Sequence, residues 1–391
     1  MIKLQALWVI FRTFLILGCT SFGGPAAHLV YFRQAFVADK KWLSDSEYIS
    51  AVALCQIIPG PTSSQVGLCI GFQRQGYLGA LIAWLAFTLP SALALFLYAI
   101  SIQWLTGDTH LAMISGLLVF AFGVIAHAST TMVKQFCTDR WLWCAMLISL
   151  VCNLVYPSGF TQILLILTSL IIGFLGVRKP RSMDVKAMLL RVSLYRLLGI
   201  AVLILSVVLP ITTLVSGSSW VFLFEKFFDV GAAVFGGGHV VLPLLEQQFV
   251  GHGISFDRFI AGYGAAQAVP GPLFTFAAYL GALLVDEHQA AIGATLAIVA
   301  IFLPSWLMVA MFYPAWRRST THPQFAQGLR YVNAVVVGFL VAALGLGLSH
   351  AVFQSPTAWI FSGLALLLLT FTTLSPAWLA IIFAGLGIVV F

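Results

Sequence analysis

One unusual pattern occurs twice in this chain, and each copy interrupts an apolar stretch. The first copy contains Gly23-Gly24-Pro25 and, further along, Pro59-Gly60-Pro61. The second contains Gly236-Gly237-Gly238 and Pro270-Gly271-Pro272. Gly and Pro break helices, and at membrane depth the freed backbone groups are tolerated only against protein or a water-filled cavity. Paired interruptions in the two halves of a membrane protein indicate a substrate site near the bilayer midplane.

Composition places these breaks in a lipid bilayer. The chain of 391 residues is 61% hydrophobic and 8% charged, with a mean hydropathy of +1.03, whereas a soluble domain carries about 25% charged residues. Uncharged runs such as 111–133 have the length of roughly 17 to 25 residues that a spanning helix needs. We therefore expect an all-α polytopic membrane protein rather than a soluble one.

The net charge of +7 does not indicate a nucleic-acid partner, because the basic residues concentrate in one linker. Six lie there, opposed only by Asp184: Arg178, Lys179, Arg181, Lys186, Arg191 and Arg196. Cytoplasmic loops collect Lys and Arg, so this linker is predicted to face the cytoplasm. An anionic-lipid or partner site is the alternative interpretation.

The order of the motifs predicts a duplicated domain. The first repeat covers 1–177 and the second covers 219–391, with the basic linker and an additional helix in 178–218. The stretch 3–74 carries six basic residues, whereas the matching stretch 225–287 carries two. By the positive-inside rule the equivalent loops face opposite sides, which predicts two homologous repeats in inverted topology. Each broken pair is either a re-entrant hairpin or a discontinuous spanning helix.

The helix after the first Pro-Gly-Pro turn begins with hydroxyls, in the run Thr62-Ser63-Ser64-Gln65. First-turn N–H groups lack helical partners and the helix dipole is positive at this end, so an anion is favoured there. A tetrahedral oxyanion suits such a site, and helix capping by the same residues is the alternative. In the second repeat only Thr275 keeps a hydroxyl, so we expect the first repeat to supply most polar ligands.

Ionisable residues within the breaks are functional candidates. His28 and His239 follow the glycine breaks, and each is expected either to carry a proton or to make a structural hydrogen bond. Glu246 is either a partner of His239 or an exposed helix residue. Arg33 either attracts an anion or marks the cytoplasmic side.

Glycine N–H groups without side chains approach an anion closely. The buried amides before each Pro-Gly-Pro turn need the substrate or the broken backbone as a partner. The candidate substrate-binding residues are Gly23, Gly24, Pro25, His28, Arg33, Gln56, Pro59, Gly60, Pro61, Thr62, Ser63, Ser64, Gln65, Gly236, Gly237, Gly238, His239, Gln267, Pro270, Gly271, Pro272 and Thr275. The candidates for proton coupling are His28, His239 and Glu246.

No catalytic, metal or cofactor site is predicted. The six cysteines form no Cys-x-x-Cys pair, and His and Cys do not stand at the spacing of metal ligands. No Ser, His and Asp constellation for an activated nucleophile is present. The sequence therefore favours transport over an enzymatic activity, and the base rate of symmetric oligomers favours a homodimer.

These motifs resemble those of the chromate ion transporter family in its long two-domain form. The matching stretches in the first half are Ser21-Phe22-Gly23-Gly24-Pro25, 53–67 and Phe87-Thr88-Leu89-Pro90-Ser91, and those in the second half are 235–244 and 262–276. The resemblance covers both repeats.

This resemblance implies a multi-pass protein of the bacterial inner membrane that exports chromate and gives chromate resistance. The membrane potential or a proton gradient would drive it. Transport or exchange of sulfate or another tetrahedral oxyanion, and an oxyanion channel, are the alternatives.

Overall fold

The computed structural model describes residues 2–22, 24–104, 108–156, 159–175, 193–234, 241–316, 323–347, 355–372, 374 and 376–390. Across these residues all regular structure is helical, apart from one isolated bridge between Val250 and Ile254. Three helical stretches are long and apolar enough to cross a membrane, namely Thr62–Ile102, Ser115–Lys134 and Glu287–Pro314. The predicted all-α membrane class is therefore confirmed.

The helices of the first half occupy its apolar runs. They are α1 (Ile2–Thr20), α2 (Gly24–Arg33), which continues into a π-helical turn (Gln34–Asp39), α3 (Asp45–Ile57), α4 (Thr62–Trp104), α5 (Asp108–Phe136), α6 (Arg140–Val155) and α7 (Gly159–Leu175). The additional helix expected within 178–218 is α8 (Ser193–Ser216).

The second half repeats this order. Its helices are α9 (Ser219–Ala233), α10 (Val241–Phe249), α11 (Phe256–Ala268), α12 (Phe276–Leu283), α13 (Ala290–Trp316), α14 (Pro323–Gly347), α15 (Pro356–Phe371) and α16 (Pro376–Val390). α3 and α11 both have 13 residues, and both begin after a serine whose hydroxyl accepts a backbone N–H of the first turn. A serine at this position satisfies one of the donors that a helix start leaves without a partner.

The chain folds back at each break of the first half. The Phe14 ring of α1 stacks on the Phe36 ring beyond α2, with centroids 4.8 Å apart. Gln73 of α4 donates from Nε2 to Glu47 Oε1, 2.9 Å away at the start of α3. Because these residues lie far along the chain from the breaks, the paired helices run antiparallel. Each pair is therefore a hairpin, and Pro59-Gly60-Pro61 forms the tip of the second one.

The second half makes the same two hairpins. Phe227 of α9 packs on Phe249 at the end of α10, with ring centroids 4.5 Å apart. The Tyr279 hydroxyl of α12 donates to the carbonyl of Arg258 in α11, 2.8 Å away. Pro270-Gly271-Pro272 lies between α11 and α12 and so forms the tip of this hairpin.

α4 is itself interrupted and turns back on itself. Gln75 and Gly76 have non-helical backbone angles, with φ of −144° and +61°. The parts before and after this point pack so tightly that a Cβ on Gly71 would collide with the Gly79 carbonyl. Small residues permit such close helix packing. The part after the interruption is the long helix that leaves the hairpin.

The long helices connect the two halves. The Tyr313 hydroxyl, near the end of α13, donates to Gln73 Oε1 at 2.8 Å, beside the start of α3. Near the end of α4, the Tyr98 ring stacks on Tyr279, with centroids 5.5 Å apart. Each long helix therefore ends beside the hairpin base of the opposite half. Helices of one half also pack against helices of the other half. α5 packs against α15 and α16, and α14 packs against α6 and α7.

Candidate functional site

The Pro-Gly-Pro tip of each half contacts the residue that stands just before the Phe-Gly-Gly run of the other half. The N–H of Gly60 donates to the carbonyl of Val234, 2.6 Å away, and the N–H of Gly271 donates to the carbonyl of Ser21, 3.0 Å away. Val234 and Ser21 each lie one residue before the Phe-Gly-Gly run of their half. We call the region joined by these two equivalent bonds the break cluster; it comprises Ser21, residues 59–65, Val234 and residues 270–272.

Glycine is required at both tips of the break cluster. Gly60 and Gly271 have φ of +125° and +111°, which other residues rarely adopt. A Cβ on Gly60 would collide with the Ser305 hydroxyl, and a Cβ on Gly271 would lie 2.8 Å from Ser91 Oγ. Ser91 and Ser305 were not selected as site residues from the sequence. The recurrence of Leu-Pro-Ser in both halves was the signal that could have found them.

The start of α4 supplies buried hydroxyls to this cluster. Thr62, Ser63, Ser64 and Gln65 are 4%, 1%, 1% and 0% exposed. Thr62 Oγ1, Ser64 Oγ and Gln65 Oε1 have no hydrogen-bond partner among the described residues. A buried polar group left unsatisfied costs about 1–3 kcal/mol. Capping of α4 therefore does not account for Thr62 and Ser64, whereas a bound ligand would satisfy both hydroxyls.

His28 joins this helix start to the glycine break of its own half. Its ring is fully buried, with Nδ1 3.2 Å from Ser63 Oγ and Nε2 3.1 Å from the Ser21 carbonyl oxygen. The Phe87 ring stands edge-on to it at a centroid distance of 5.4 Å. The carbonyl that accepts from His28 is the one that accepts from Gly271.

The remaining polar candidates of the Pro-Gly-Pro turns are bonded locally. Gln65 Nε2 donates to the Pro59 carbonyl at 2.6 Å, and Thr275 Oγ1 donates to the Pro272 carbonyl at 2.7 Å. Gln267 Nε2 donates to the hydroxyl of Tyr263, 2.6 Å away. These bonds brace the turns, and Gln65 Nε2 also lies 3.4 Å from Ser305 Oγ of the other half.

Arg33 lies apart from the break cluster. It ends α2, its side chain is 61% exposed, and its Nε donates to Asp45 Oδ1 at 2.7 Å. Glu246 is half-buried on α10. Gly23, 236–238 and His239, together with the side chain of Gln56, lie outside the described residues. Among the residues that the structure describes, no group of three His, Cys, Asp or Glu side chains is arranged to hold a metal.

Comparison with known families decides the membership of this chain. The family model described as "Chromate transporter" matches residues 8–177 and again residues 221–389. The chain belongs to the chromate transporter family. Both matches contain two hairpins followed by a long helix, α4 in the first half and α13 in the second, so the family model matches each half of the fold once.

Curated relatives in the chromate transporter family extend over most of this chain. A chromate transport protein of Cupriavidus metallidurans is 26% identical over 390 residues, covering 97% of this chain and 92% of the relative. One from Pseudomonas aeruginosa is 26% identical over 341 residues (85% and 79%). A probable chromate transport protein of Synechococcus elongatus is 26% identical over 340 residues (85% and 82%). No solved structure matches this chain.

Proposed function

We propose that this protein exports chromate from the cytoplasm across the bacterial inner membrane, and that this export gives chromate resistance. Membership of the chromate transporter family supports the substrate. The observation that carries the proposal is the pair of buried, unpartnered hydroxyls of Thr62 and Ser64 at the start of α4. Transport needs no covalent step, so we assign these residues to binding rather than catalysis.

The ligands of a tetrahedral oxyanion follow from the chemistry of the break cluster. The Thr62, Ser63 and Ser64 hydroxyls and the first N–H groups of α4 provide neutral donors beside the positive end of a helix dipole. Glycine backbone at 23–24 and 236–238 adds N–H groups that an anion can approach closely. The Pro-Gly-Pro turns, with Gln56, Gln65, Gln267 and Thr275, shape and brace the wall of this site.

Alternating access is the transport mode that we propose. The two repeats, 1–177 and 219–391, are inverted relative to each other and are joined by 178–218. Two observations support the inversion: α4 and α13 each end beside the hairpin base of the other half, and the tip contacts are exchanged in equivalent pairs. α3 and α11, with 13 residues each, rise about 20 Å, less than the roughly 30 Å bilayer core, so their re-entrant tips end near its middle. Burial of the break cluster favours a carrier over an open channel.

The positions of the basic side chains support an orientation in the membrane, and the charge of the substrate supports a driving force for its export. The cations of Lys40 and Arg74 lie 5.8 and 5.1 Å from the centroid of the Trp42 ring, at the hairpin base of the first half. Basic residues favour the cytoplasmic side, where exposed Arg33 would attract the anion. An inside-negative potential favours dianion exit by about 2.3 kcal/mol per charge per 100 mV, or roughly 4.6 kcal/mol for two charges.

His28, His239 and Glu246 are the candidates for proton coupling, and a homodimer is the proposed assembly.

Flux of labelled chromate into proteoliposomes tests this function. The purified protein is reconstituted, and uptake is measured with an imposed potential, with a pH gradient or with neither, each with and without excess sulfate. We expect saturable chromate flux that increases with the imposed gradient. Liposomes without protein, and liposomes containing the Gly60→Val variant, provide the background.

The arms of this experiment separate the competing functions. Sulfate flux without chromate flux would move the substrate to sulfate. Chromate flux that never saturates would indicate a channel. Absence of flux for both anions under every gradient would refute oxyanion transport.

A further inference from the structure

The hydrogen bonds of His28 fix which ring nitrogen carries the proton. Nε2 lies 3.1 Å from the Ser21 carbonyl oxygen, which can only accept, so Nε2 must donate. In the neutral ring Nδ1 is then bare and accepts, so the Ser63 hydroxyl, 3.2 Å away, donates its hydrogen to His28. Ser63 then presents only oxygen lone pairs to the neighbouring hydroxyls of the break cluster.

Protonation of His28 reverses the bond to Ser63. Nδ1 then carries a hydrogen and donates to Ser63 Oγ, and the Ser63 hydrogen is released to point elsewhere. Ser63 lies between Thr62 and Ser64 on the first turn of α4, where the unpartnered hydroxyls are. An oxyanion at this helix start would meet a lone pair in the neutral state and a donor plus a positive charge in the protonated state.

We propose that His28 is a positioning residue that turns the Ser63 hydroxyl toward the anion when the ring takes up a proton, so that oxyanion binding is accompanied by proton uptake. This inference rests on the proposed function, because it concerns the same site. The same ring also reaches the contact between the halves, since the Ser21 carbonyl that it donates to also accepts from the Gly271 N–H. The proton on His28 is therefore coupled to both the anion and the opposite half.

Several charged groups lie on the elements that pack against α2. α2 packs against α4 and the π-helical turn. The ionic groups that these elements contribute are Arg74, exposed over the Trp42 ring, and Asp39, which accepts from Gln34. On α2 itself Arg33 is exposed and paired with Asp45 of α3. Tyr48 of α3 donates to the Leu29 carbonyl, and His239 of the second glycine break lies outside the described residues.

The test is equilibrium binding of radiolabelled chromate to the purified full-length protein, from about pH 5.5 to about pH 8, the range in which an imidazole titrates. Wild type is compared with His28→Gln, whose amide keeps hydrogen bonding without titrating, and with Ser63→Ala. His127→Gln is the matched control, because His127 bonds Thr370 of α15 through Nδ1 at 3.1 Å rather than a residue of the break cluster. Ligand ionisation is the same for every variant, so the ratio of affinities isolates the protein group.

We expect the ratio of wild-type to His28→Gln affinity to rise about tenfold as the pH falls, and to stay constant for His127→Gln. In the Ser63→Ala background the ratio should change less, because no hydroxyl remains to be turned. A ratio that is flat across pH, with wild type binding normally, would overturn the proposal and leave His28 structural. Absence of chromate binding by wild type at every pH would instead refute the proposed function.

Proton uptake provides a readout that needs no variant. Calorimetric titration of wild type with chromate at about pH 8, in two buffers of different ionisation enthalpy, measures the protons taken up on binding. We expect net uptake of a fraction of one proton per bound anion, because a tenfold change in affinity over about 2.5 pH units corresponds to roughly 0.4 proton. Equal heats in the two buffers would contradict the switch.

Discussion

At the scale of single residues, the hydroxyls of Thr62 and Ser64 are the most informative feature of the break cluster. Both are buried and lack partners among the described residues. Removing either hydroxyl should therefore weaken ligand binding without weakening the folded state. A buried hydroxyl that lacks a partner in the ligand-free protein can be removed without loss of stability, whereas a hydrogen bond to a charged ligand is worth about 1.5–3 kcal/mol.

We therefore predict that Thr62→Val and Ser64→Ala each lower the affinity for chromate by about tenfold to a hundredfold. Neither substitution should lower the thermal unfolding temperature of the ligand-free protein. The checks are radiolabelled chromate binding and thermal unfolding in detergent. Ser101→Ala is the control, because that exposed serine bonds only to Tyr98 in its own helix. Unchanged affinity in both variants would remove the start of α4 from the site.

At the scale of elements, the two Pro-Gly-Pro turns act as matched tips, each held by the other half. The tip contacts exist only because Gly60 and Gly271 adopt positive φ and lack a side chain. Gly217 provides a comparison, because its φ is +59° and no atom lies within 4 Å of the position that a Cβ would occupy there. Strain from positive φ can thus be separated from the loss of space at the tips.

Gly60→Ala and Gly271→Ala are predicted to destabilise the protein by about 1–3 kcal/mol more than Gly217→Ala, because overpacking adds to the backbone strain. Gly60→Ala should be the more harmful of the two, since its Cβ meets Ser305 and Gln65 together. Thermal unfolding in detergent compares the three variants. Equal losses at all three glycines would show that the tips are not tightly packed.

Sequence reasoning predicted the helices better than their contacts. The helix Ser193–Ser216 and the turn between α3 and α4 were predictable because apolar runs and Pro-Gly-Pro act locally. The pairing of Gly60 with Val234 was not, because a repeat pattern does not specify which half each tip binds. Arg33 illustrates the same limit, since its pairing with Asp45 depends on how α2 and α3 pack.

At the scale of the whole molecule, the contacts divide into equivalent pairs between the halves. α5 packs with α15 and α16 as α14 packs with α6 and α7, and α4 and α13 both run from one hairpin base to the other. In the inverted topology that we propose, the two hairpin bases lie at opposite membrane surfaces. On this proposal, the basic residues near the first base place that base on the cytoplasmic side.

Cysteine labelling tests the inverted orientation. In a background without the six native cysteines, Lys40→Cys should react with an impermeant reagent only from the cytoplasmic side, and Gly253→Cys only from the outside. Both positions are exposed and lie in loops at the two hairpin bases. Labelling of both from one side would contradict the inverted repeat.

The central claim is that the breaks of both halves enclose one oxyanion site at the start of α4. Anomalous X-ray scattering from chromium, in crystals of the full-length protein soaked with chromate, locates the ion directly. The account predicts one peak within hydrogen-bond distance of Thr62 and Ser64, beside the Pro59-Gly60-Pro61 turn. A peak confined to another part of the molecule, with this helix start empty at saturating chromate, would contradict it.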